Sequence, residues 1–213
     1  MPEKQSSVCC IPKTDLVILA GGQARRMQGQ NKLLMQFDEK SQLAKILEHF
    51  TGQVAQVWVN SHRDAKCYSA FDHQLKVFQD DEVGFFGPLM GMKSAWHYCK
   101  QDYVLFVPCD VTYIPVDILA TMHQALAQVA DSQVVYFQFN QQPLYPFCLM
   151  KREAQVVIQQ QLEQQQLRLY DCFGRLNAQV VTVTNSNTSF HSLNSLEELQ
   201  QYQQELLKAN AAD

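Results

Sequence analysis

The chain has 213 residues, of which 46% are hydrophobic and 18% charged, and this is ordinary for a globular protein with a sizeable core. The formal net charge of −4 argues against a nucleic-acid protein, because binding phosphate backbones requires clustered lysine and arginine. No apolar run approaches the roughly 20 residues that a membrane span needs, and residues 1–15 contain no stretch of signal-peptide type. We therefore expect a cytoplasmic protein without a membrane or nucleic-acid partner.

The seven cysteines are odd in number and form no C-x-x-C pair, so neither a zinc ribbon nor a disulfide framework is indicated. Reduced thiols in a cytosolic protein are the simplest interpretation. Cys9 and Cys10 are adjacent, and we interpret them as tail residues rather than as a metal or redox device. We expect residues 1–13 to be a disordered tail and residues 14–213 to form one domain.

Short apolar runs alternate with amphipathic stretches along the chain. In chain order, the patterns predict a strand at 15–20, a helix at 41–50 with Ser41 as N-cap, strands at 56–60 and 75–79, a helix at 88–99, a strand at 103–107, a helix at 115–130 with Pro115 near its first position, and strands at 133–139 and 144–150. The glutamine-rich residues 155–166 are interpreted as a helix with a polar face, in preference to a low-complexity segment prone to aggregation.

Strands that alternate with helices indicate an α/β fold: a single-domain, Rossmann-like, doubly wound and mostly parallel sheet flanked by helices. Such sheets bind ligands outside the carboxyl ends of their strands. The candidate functional residues are therefore those that follow Ala20, Gln79 and Val107.

The first candidate site is the segment LAGGQARRMQGQNK, residues 19–32, directly after a predicted strand. Its glycines allow a sharp turn that points several N–H groups at one anion, and Arg25, Arg26 and Lys32 supply positive charge for a triphosphate. The segment is neither a Walker loop nor a G-x-G-x-x-G motif. We favour a phosphate-binding loop over a strand-ending turn with solvated basic residues.

The second candidate site is Asp110, which follows the predicted strand at 103–107. A carboxylate at the end of a buried strand suits Mg²⁺, which takes one or two carboxylates together with phosphate oxygens and water. The alternative is that Asp110 caps the next helix. Asp80 and Asp81 are candidates for a second carboxylate, although a solvated acidic loop with Glu82 explains them nearly as well.

The third candidate is the segment GFFGPLMG, residues 84–91. Gly87 and Gly91 flank a predicted helix start and would let the backbone approach a flat ligand. Taken alone this signal is weak.

Together these segments resemble the molybdenum cofactor guanylyltransferase family. The resemblance covers residues 14–202 and rests on LAGG-x-x-x-RM-x-G-x-x-K at 19–32, GPLMG at 87–91, PCDVTYIP at 108–115, and Asn194 before a Glu-Glu-Leu helix. It implies a Rossmann-like nucleotide-binding half, residues 14–113, and a half for the pterin substrate, residues 114–205. It further implies transfer of GMP from GTP to the phosphate of molybdopterin, with Mg²⁺ as cofactor and pyrophosphate as product. Other molybdenum cofactor biosynthesis proteins and molybdoenzyme chaperones are the further partners it suggests.

The resemblance also implies roles for individual residues. The guanosine side would be bound by Leu19, Ala20, Gly21, Gly22, Gly87 and Asp80. Arg26 and Lys32 would hold phosphates, and Asp110 would hold Mg²⁺. Asn194 and Ser192 would lie towards the pterin.

Four positions depart from the family pattern. The family usually has glycine at Gln28, aspartate at Asn31, Asn-x-Asn at Ser192-Leu193-Asn194, and His-Pro where this chain has Gln142-Pro143. We expect these changes to affect rate and affinity more than fold. Three alternatives stay open: a related transferase that uses CTP or a sugar phosphate, a degenerate GTP-binding relative without activity, and an unrelated binding module whose glycines are only turns.

Overall fold

A seven-stranded sheet organises the protein, and the computed structural model describes residues 11–22, 29–82, 84, 86–184 and 190–210. The strands are β1 (Thr14–Leu19), β2 (Val57–Asn60), β3 (Lys76–Phe78), β4 (Tyr103–Pro108), β5 (Val134–Phe139), β6 (Gln142–Lys151) and β7 (Gln179–Val183). Their order is β3-β2-β1-β4-β6-β5-β7. All neighbouring pairs are parallel except β4 with β6 and β6 with β5. The expected mostly parallel α/β fold is confirmed.

The helices connect these strands and cover both faces of the sheet. They are α1 (Gln42–Phe50), α2 (Ala65–Phe71), α3 (Pro88–Ala95), α4 (Ile118–Gln128), α5 (Gln155–Glu163), α6 (Leu169–Arg175) and α7 (Leu196–Asn210), with 3₁₀ turns at Lys32–Leu34 and Arg152–Ala154. Ser41 caps α1 as expected, since its side chain accepts a hydrogen bond from the Ala44 N–H. No helix in the described part of the chain is both long and apolar enough to cross a membrane.

Alternation along the strands divides the core between the two faces of the sheet. In β1, Leu16 and Ile18 belong to the hydrophobic cluster that includes α1 and α4, whereas Val17 belongs to the cluster that includes α3, α5 and α6. All three side chains are fully buried. A strand covered on both faces must be mostly apolar, which is why residues 16–19 form a continuous apolar run.

β6 is the element whose direction the sequence did not reveal. It returns antiparallel to β5 through a two-residue turn, in which Asn140 and Gln141 have φ of 45° and 66°. These angles suit a hairpin turn of the primed type, which usually contains glycine. The pairing also shifts between Tyr136 and Phe137, so that residues 145–147 of β6 bulge out of the ladder.

Several short elements were not predicted, namely α2, α6, β7 and the two 3₁₀ turns. α3 ends at Ala95, before the predicted end at Cys99. α4 begins at Ile118, and the Pro115 carbonyl accepts a hydrogen bond from the Ile118 N–H in the turn before it. The glutamine-rich segment is a helix, α5, as expected.

The C-terminal helix fixes a segment that returns to the centre of the sheet. Leu199 and Tyr202 of α7 pack with Phe37 and Leu193 in a separate small hydrophobic cluster. Residues 190–193 run beside residues 110–112, with an isolated bridge between Val111 and Ser192. This packing brings Asn194 to the carboxyl end of β4.

Candidate active site

A cavity of about 730 Å³ lies at the carboxyl ends of β1, β2, β3 and β4. Its volume is in the range of cavities that enclose a small-molecule ligand. Nine of the predicted site residues line it: Leu19, Ala20, Gly21, Gly22, Lys32, Asp80, Gly87, Asp110 and Asn194. The parallel strands therefore bring residues that are far apart in sequence to one edge of the sheet.

Lys32 is held from three sides. Its Nζ donates hydrogen bonds to the Leu193 carbonyl at 2.9 Å and to Asn194 Oδ1 at 3.0 Å, and it lies 3.4 Å from Asp110 Oδ2. Only 13% of its side chain is exposed. A lysine fixed in this way keeps a localised positive charge at the cavity wall, where a phosphate group can meet it.

Asp110 lies in the turn after β4, and 19% of its side chain is exposed. Burial raises the pKa of this carboxyl, while the charge and hydrogen bond of Lys32 act in the opposite direction. Asp110 does not cap a helix, because α4 begins at Ile118 with Asp117 as its N-cap. The helix-capping alternative is therefore excluded, and the carboxylate remains available to a cation.

Asp80 is oriented by two residues that follow or end β2. The Asn60 side-chain amide donates to Asp80 Oδ1 at 2.8 Å, and His62 Nε2 lies 3.0 Å from Asp80 Oδ2. The other side of Asn60 is packed closely, because a Cβ on Gly91 would stand 2.5 Å from Asn60 Oδ1. Gly91 thus lies inside α3 and contacts Asn60, whereas Gly87, with φ of 63°, precedes α3 and lines the cavity.

Several residues singled out in the sequence have other outcomes. Ser192 does not line the cavity, and it pairs with Val111 in the segment that holds Lys32. Asp81 turns away to Lys93, with its Oδ2 3.2 Å from the lysine Nζ. Arg26 lies outside the described residues, as do Arg25 and Gln28.

Sequence reasoning missed several residues at this site. Asn60, His62, Arg63 and Pro146 all line the cavity. Arg63 donates to the backbone carbonyls of Gly29 and Gln30, contacts that no local pattern reveals. Pro146 reaches the cavity from the bulge in β6, whereas Gln142 and Pro143, the residues compared with the family's His-Pro, are exposed.

Comparison with known proteins assigns this arrangement to a family. Residues 16–183 match the model of the MobA-like NTP transferase domain. The chain belongs to the MobA-like NTP transferase family. A molybdenum cofactor guanylyltransferase from Acinetobacter baumannii is 57% identical over 193 residues, which cover 91% of this chain and 92% of the relative. This MobA-like chain is thus a nucleotidyltransferase.

Solved structures support the MobA-like fold. The molybdopterin-guanine dinucleotide biosynthesis protein A of Archaeoglobus fulgidus superposes with a TM-score of 0.67 at 17% identity, covering 91% of this chain and 99% of that one. A CMP:2-keto-3-deoxy-manno-octonic acid synthetase in complex with CTP has a TM-score of 0.66 at 16% identity, with coverage of 93% and 99%. The fold therefore does not decide which base is bound.

The site residues of this MobA-like transferase suit a divalent metal ion. No group of three or more His, Cys, Asp or Glu side chains that could hold a metal ion occurs among the described residues. Asp110 is a desolvated carboxylate at the cavity, which a cation would stabilise in its charged form. Nucleotidyltransferases generally use a divalent metal, and one carboxylate with phosphate oxygens and water is enough to bind it.

Proposed function

We propose that this transferase joins GMP from GTP to the phosphate of molybdopterin, forming a guanine dinucleotide cofactor and releasing pyrophosphate. The observation that carries the proposal is the fixed Lys32 ammonium beside Asp110, at the wall of a glycine-lined cavity. The guanylyl part is supported by the name of the relative from Acinetobacter baumannii, which is 57% identical.

The reaction suits the residues present. A phosphate oxygen of the acceptor forms a bond to the α-phosphorus of GTP, and the bond from that phosphorus to the bridging oxygen breaks, so that pyrophosphate leaves. The attacking phosphate is already an anion and needs no strong general base. What it needs is charge neutralisation and in-line placement, and Lys32 contributes to the first. Burial raises the pKa of Cys109 to about 12, so this neighbouring thiol stays neutral and is unsuited to covalent catalysis.

We infer that Asp110 holds Mg²⁺, which when bound would neutralise charge on the triphosphate. Mg²⁺ suits this donor set because it demands few protein ligands and retains water and phosphate oxygens. Asp80, fixed by Asn60, belongs to the guanosine side of the same proposal, together with Leu19, Ala20, Gly21, Gly22 and Gly87. Asn194 belongs to the pterin side, next to Lys32.

The division into a nucleotide half, residues 14–113, and a pterin half, residues 114–205, is part of the same proposal. The cytoplasm is the proposed compartment, and it is supported by the five described cysteines, all of which are free thiols. Other molybdenum cofactor biosynthesis proteins and molybdoenzyme chaperones are proposed partners on the strength of the family resemblance alone.

A competing candidate is a transferase that uses CTP, because a CTP-bound synthetase has the same fold. Guanine offers an acceptor at O6 and donors at N1 and N2, which backbone groups of the glycine-rich segments can match. A mismatched base leaves buried polar groups unpaired at about 1–3 kcal/mol each, so we expect roughly tenfold or greater preference for GTP.

The test is turnover of GTP, CTP and ATP with Mg²⁺ and molybdopterin supplied, combined with competition binding of the three nucleotides. We expect pyrophosphate release with GTP. We also expect CTP and ATP to bind at least roughly tenfold more weakly than GTP. CTP binding as tight as GTP binding would remove the guanylyl assignment. GTP binding without any pyrophosphate release would instead indicate a degenerate relative.

A further inference from the structure

The last part of the glycine-rich loop is tied to the turn that follows β2. Arg63 Nη1 donates to the Gly29 carbonyl at 2.7 Å, and Arg63 Nη2 donates to the Gln30 carbonyl at 3.2 Å. The planar guanidinium therefore binds two successive carbonyls of the loop. The next residue along the chain, Asn31, makes the closer connection.

Every polar atom of the Asn31 side chain is used. Its Oδ1 accepts a hydrogen bond from the Leu33 N–H at 3.1 Å, which caps the 3₁₀ turn Lys32–Leu34. Its Nδ2 donates to Asp64 Oδ2 at 2.6 Å and to the Tyr68 hydroxyl at 2.8 Å. Lys32 is the first residue of the turn that Asn31 caps, so the backbone of Lys32 is set by these contacts.

The partner, Asp64, is fixed as well. It has φ of 60°, a left-handed conformation that aspartate and asparagine tolerate better than most residues. Tyr68, whose hydroxyl accepts a hydrogen bond from the same Asn31 Nδ2, is only 1% exposed. Asn31 therefore presents its donor to two acceptors, the Asp64 carboxylate and the Tyr68 hydroxyl.

This requirement gives a physical reason for one departure from the family pattern. An aspartate at position 31 would place a second carboxylate within hydrogen-bond distance of Asp64, whose Oδ2 lies 3.8 Å from Arg63 Nε, and two carboxylates that close repel each other unless they share a proton. An amide at position 31 removes the repulsion and supplies the donor that Asp64 accepts.

We propose that Asn31 and Asp64 form a matched donor–acceptor pair that positions Lys32 for binding the triphosphate. We assign both as positioning residues that act through the turn that carries Lys32, and Asn31 also lines the cavity. The proposal rests on the proposed function, since it assigns the pair to nucleotide binding at the same site.

The test is an exchange of charge between the two positions, with Asn31→Asp, Asp64→Asn and the double variant compared with the wild type. Asn31→Asp should raise the Kd for GTP with Mg²⁺ and the KM for GTP roughly tenfold or more at about pH 8. Both constants should recover in part towards about pH 5, where one proton can be shared between the two carboxyls. Asp64→Asn keeps an acceptor and a residue that tolerates the left-handed conformation, so its constants should stay within about threefold of the wild type.

The double variant decides the matter, because the amide introduced at position 64 would then donate to a carboxylate at position 31. Its Kd and KM should return to within about threefold of the wild type. Gln124→Glu is the matched control, because it adds the same negative charge on the exposed side of α4. A double variant no better than Asn31→Asp alone, or Asn31→Asp within about twofold of the wild type, would overturn the proposal.

Melting temperatures separate positioning from a merely structural role. Loss of folded protein would lower kcat in proportion to the active fraction and leave KM and Kd unchanged, which would also count against the pair. Failure of the proposed function is a different result, namely a wild-type protein that binds GTP but does not turn it over. The order of Kd values among the variants still tests the pair in that case.

Discussion

The two parts of the sheet contribute unequally to the cavity. The parallel strands β3, β2, β1 and β4, with the loops that follow them, supply all but two of the described lining residues. The strands β6, β5 and β7 and the chain after them supply Pro146 and Asn194. Both parts are covered by helices and have buried strands, so burial alone does not mark the functional part.

Strand direction explains the difference. Parallel neighbours end at the same edge of the sheet, so four successive loops meet there. β6 runs in the opposite direction and separates β5 and β7 from β4. Only the bulge at residues 145–147 brings β6 to the cavity, through Pro146. Whether a strand contributes residues to the cavity therefore depends on the edge of the sheet at which its chain leaves.

The largest expected effect comes from comparing substitutions at the two ends of β4. Asp110 follows its carboxyl end, whereas Asp102 precedes its amino end with 88% of its side chain exposed. Asp110→Asn should lower kcat about hundredfold or more, because a neutral amide is a poor ligand for a hard cation. Asp102→Asn should leave kcat unchanged. Steady-state kinetics with GTP check both, and Asp110→Asn activity within about twofold of the wild type contradicts the assignment.

Lys32 tests the same edge through binding. Lys32→Ala should weaken GTP binding by roughly 1.5–3 kcal/mol, the range for a charge-assisted hydrogen bond. Lys40 is the matched control, because its side chain is 54% exposed and pairs with Glu48 on the surface. Calorimetric titration of GTP with Mg²⁺ present compares Lys32→Ala with Lys40→Ala. Equal affinity in both would show that Lys32 does not meet the nucleotide.

His123 tests the opposite end of the sheet, where we expect stability rather than chemistry. Burial lowers its pKa to about 4, and its Nε2 lies 2.7 Å from the Thr14 hydroxyl. The unfolded chain binds a proton more readily than the native one between about pH 6.5 and about pH 4. The stability that neutral His123 contributes is therefore fully present above the pKa of the unfolded chain, about 6.5, and is lost as the pH falls.

Because of this histidine, the free energy of unfolding should fall by about 2 kcal/mol when the pH is lowered from about 7.5 to about 5. Burial also lowers the pKa of His49, which acts in the same direction. Urea unfolding at both pH values measures the change. His123→Gln should show a smaller change, whereas His73→Gln, at a residue with 90% of its side chain exposed, should match the wild type. An equal pH dependence in all three proteins would refute the prediction.

The smallest expected effects on stability come from replacing two helical glycines, Gly91 in α3 and Gly174 in α6. A Cβ on Gly91 would approach Asn60 Oδ1 to 2.5 Å and Leu19 Cδ2 to 3.2 Å, so Gly91→Ala should cost roughly 1–2 kcal/mol of stability. A methyl group on Gly174, in α6, would meet no atom within 4 Å. Gly174→Ala should therefore stabilise by about 0.4–1 kcal/mol. Thermal unfolding of both variants measures the difference. Stabilisation by Gly91→Ala would show that Asn60 moves aside at little cost, and destabilisation by Gly174→Ala would contradict the second prediction.

The sequence was sufficient for features that follow from local patterns. Continuous apolar runs predicted β1 and β4, and charged residues that follow such runs predicted Lys32 and Asp110. The direction of β6 could not be predicted, because an apolar run is equally compatible with both directions and the turn at Asn140 contains no glycine. The helix α2 was missed because it has only seven residues, too few to show a helical periodicity.

The missed site residues depend on contacts between distant segments. Arg63 follows β2 as an ordinary basic residue, and its role is defined by carbonyls 34 and 33 positions earlier. Asn60 ends a short strand, and only its fit between Gly91 and Asp80 distinguishes it. Such partners are set by topology, which a single sequence does not reveal.

The contacts of Lys32 form late when the protein folds during its synthesis. The four parallel strands β1 to β4 pair with one another within residues 14–108, yet the carbonyl that accepts a hydrogen bond from Lys32 belongs to Leu193. A nascent chain can therefore pair these four strands before the Lys32 ammonium has this partner. Because Leu193 packs against α7, the ammonium gains this contact only after almost the whole polypeptide has left the ribosome.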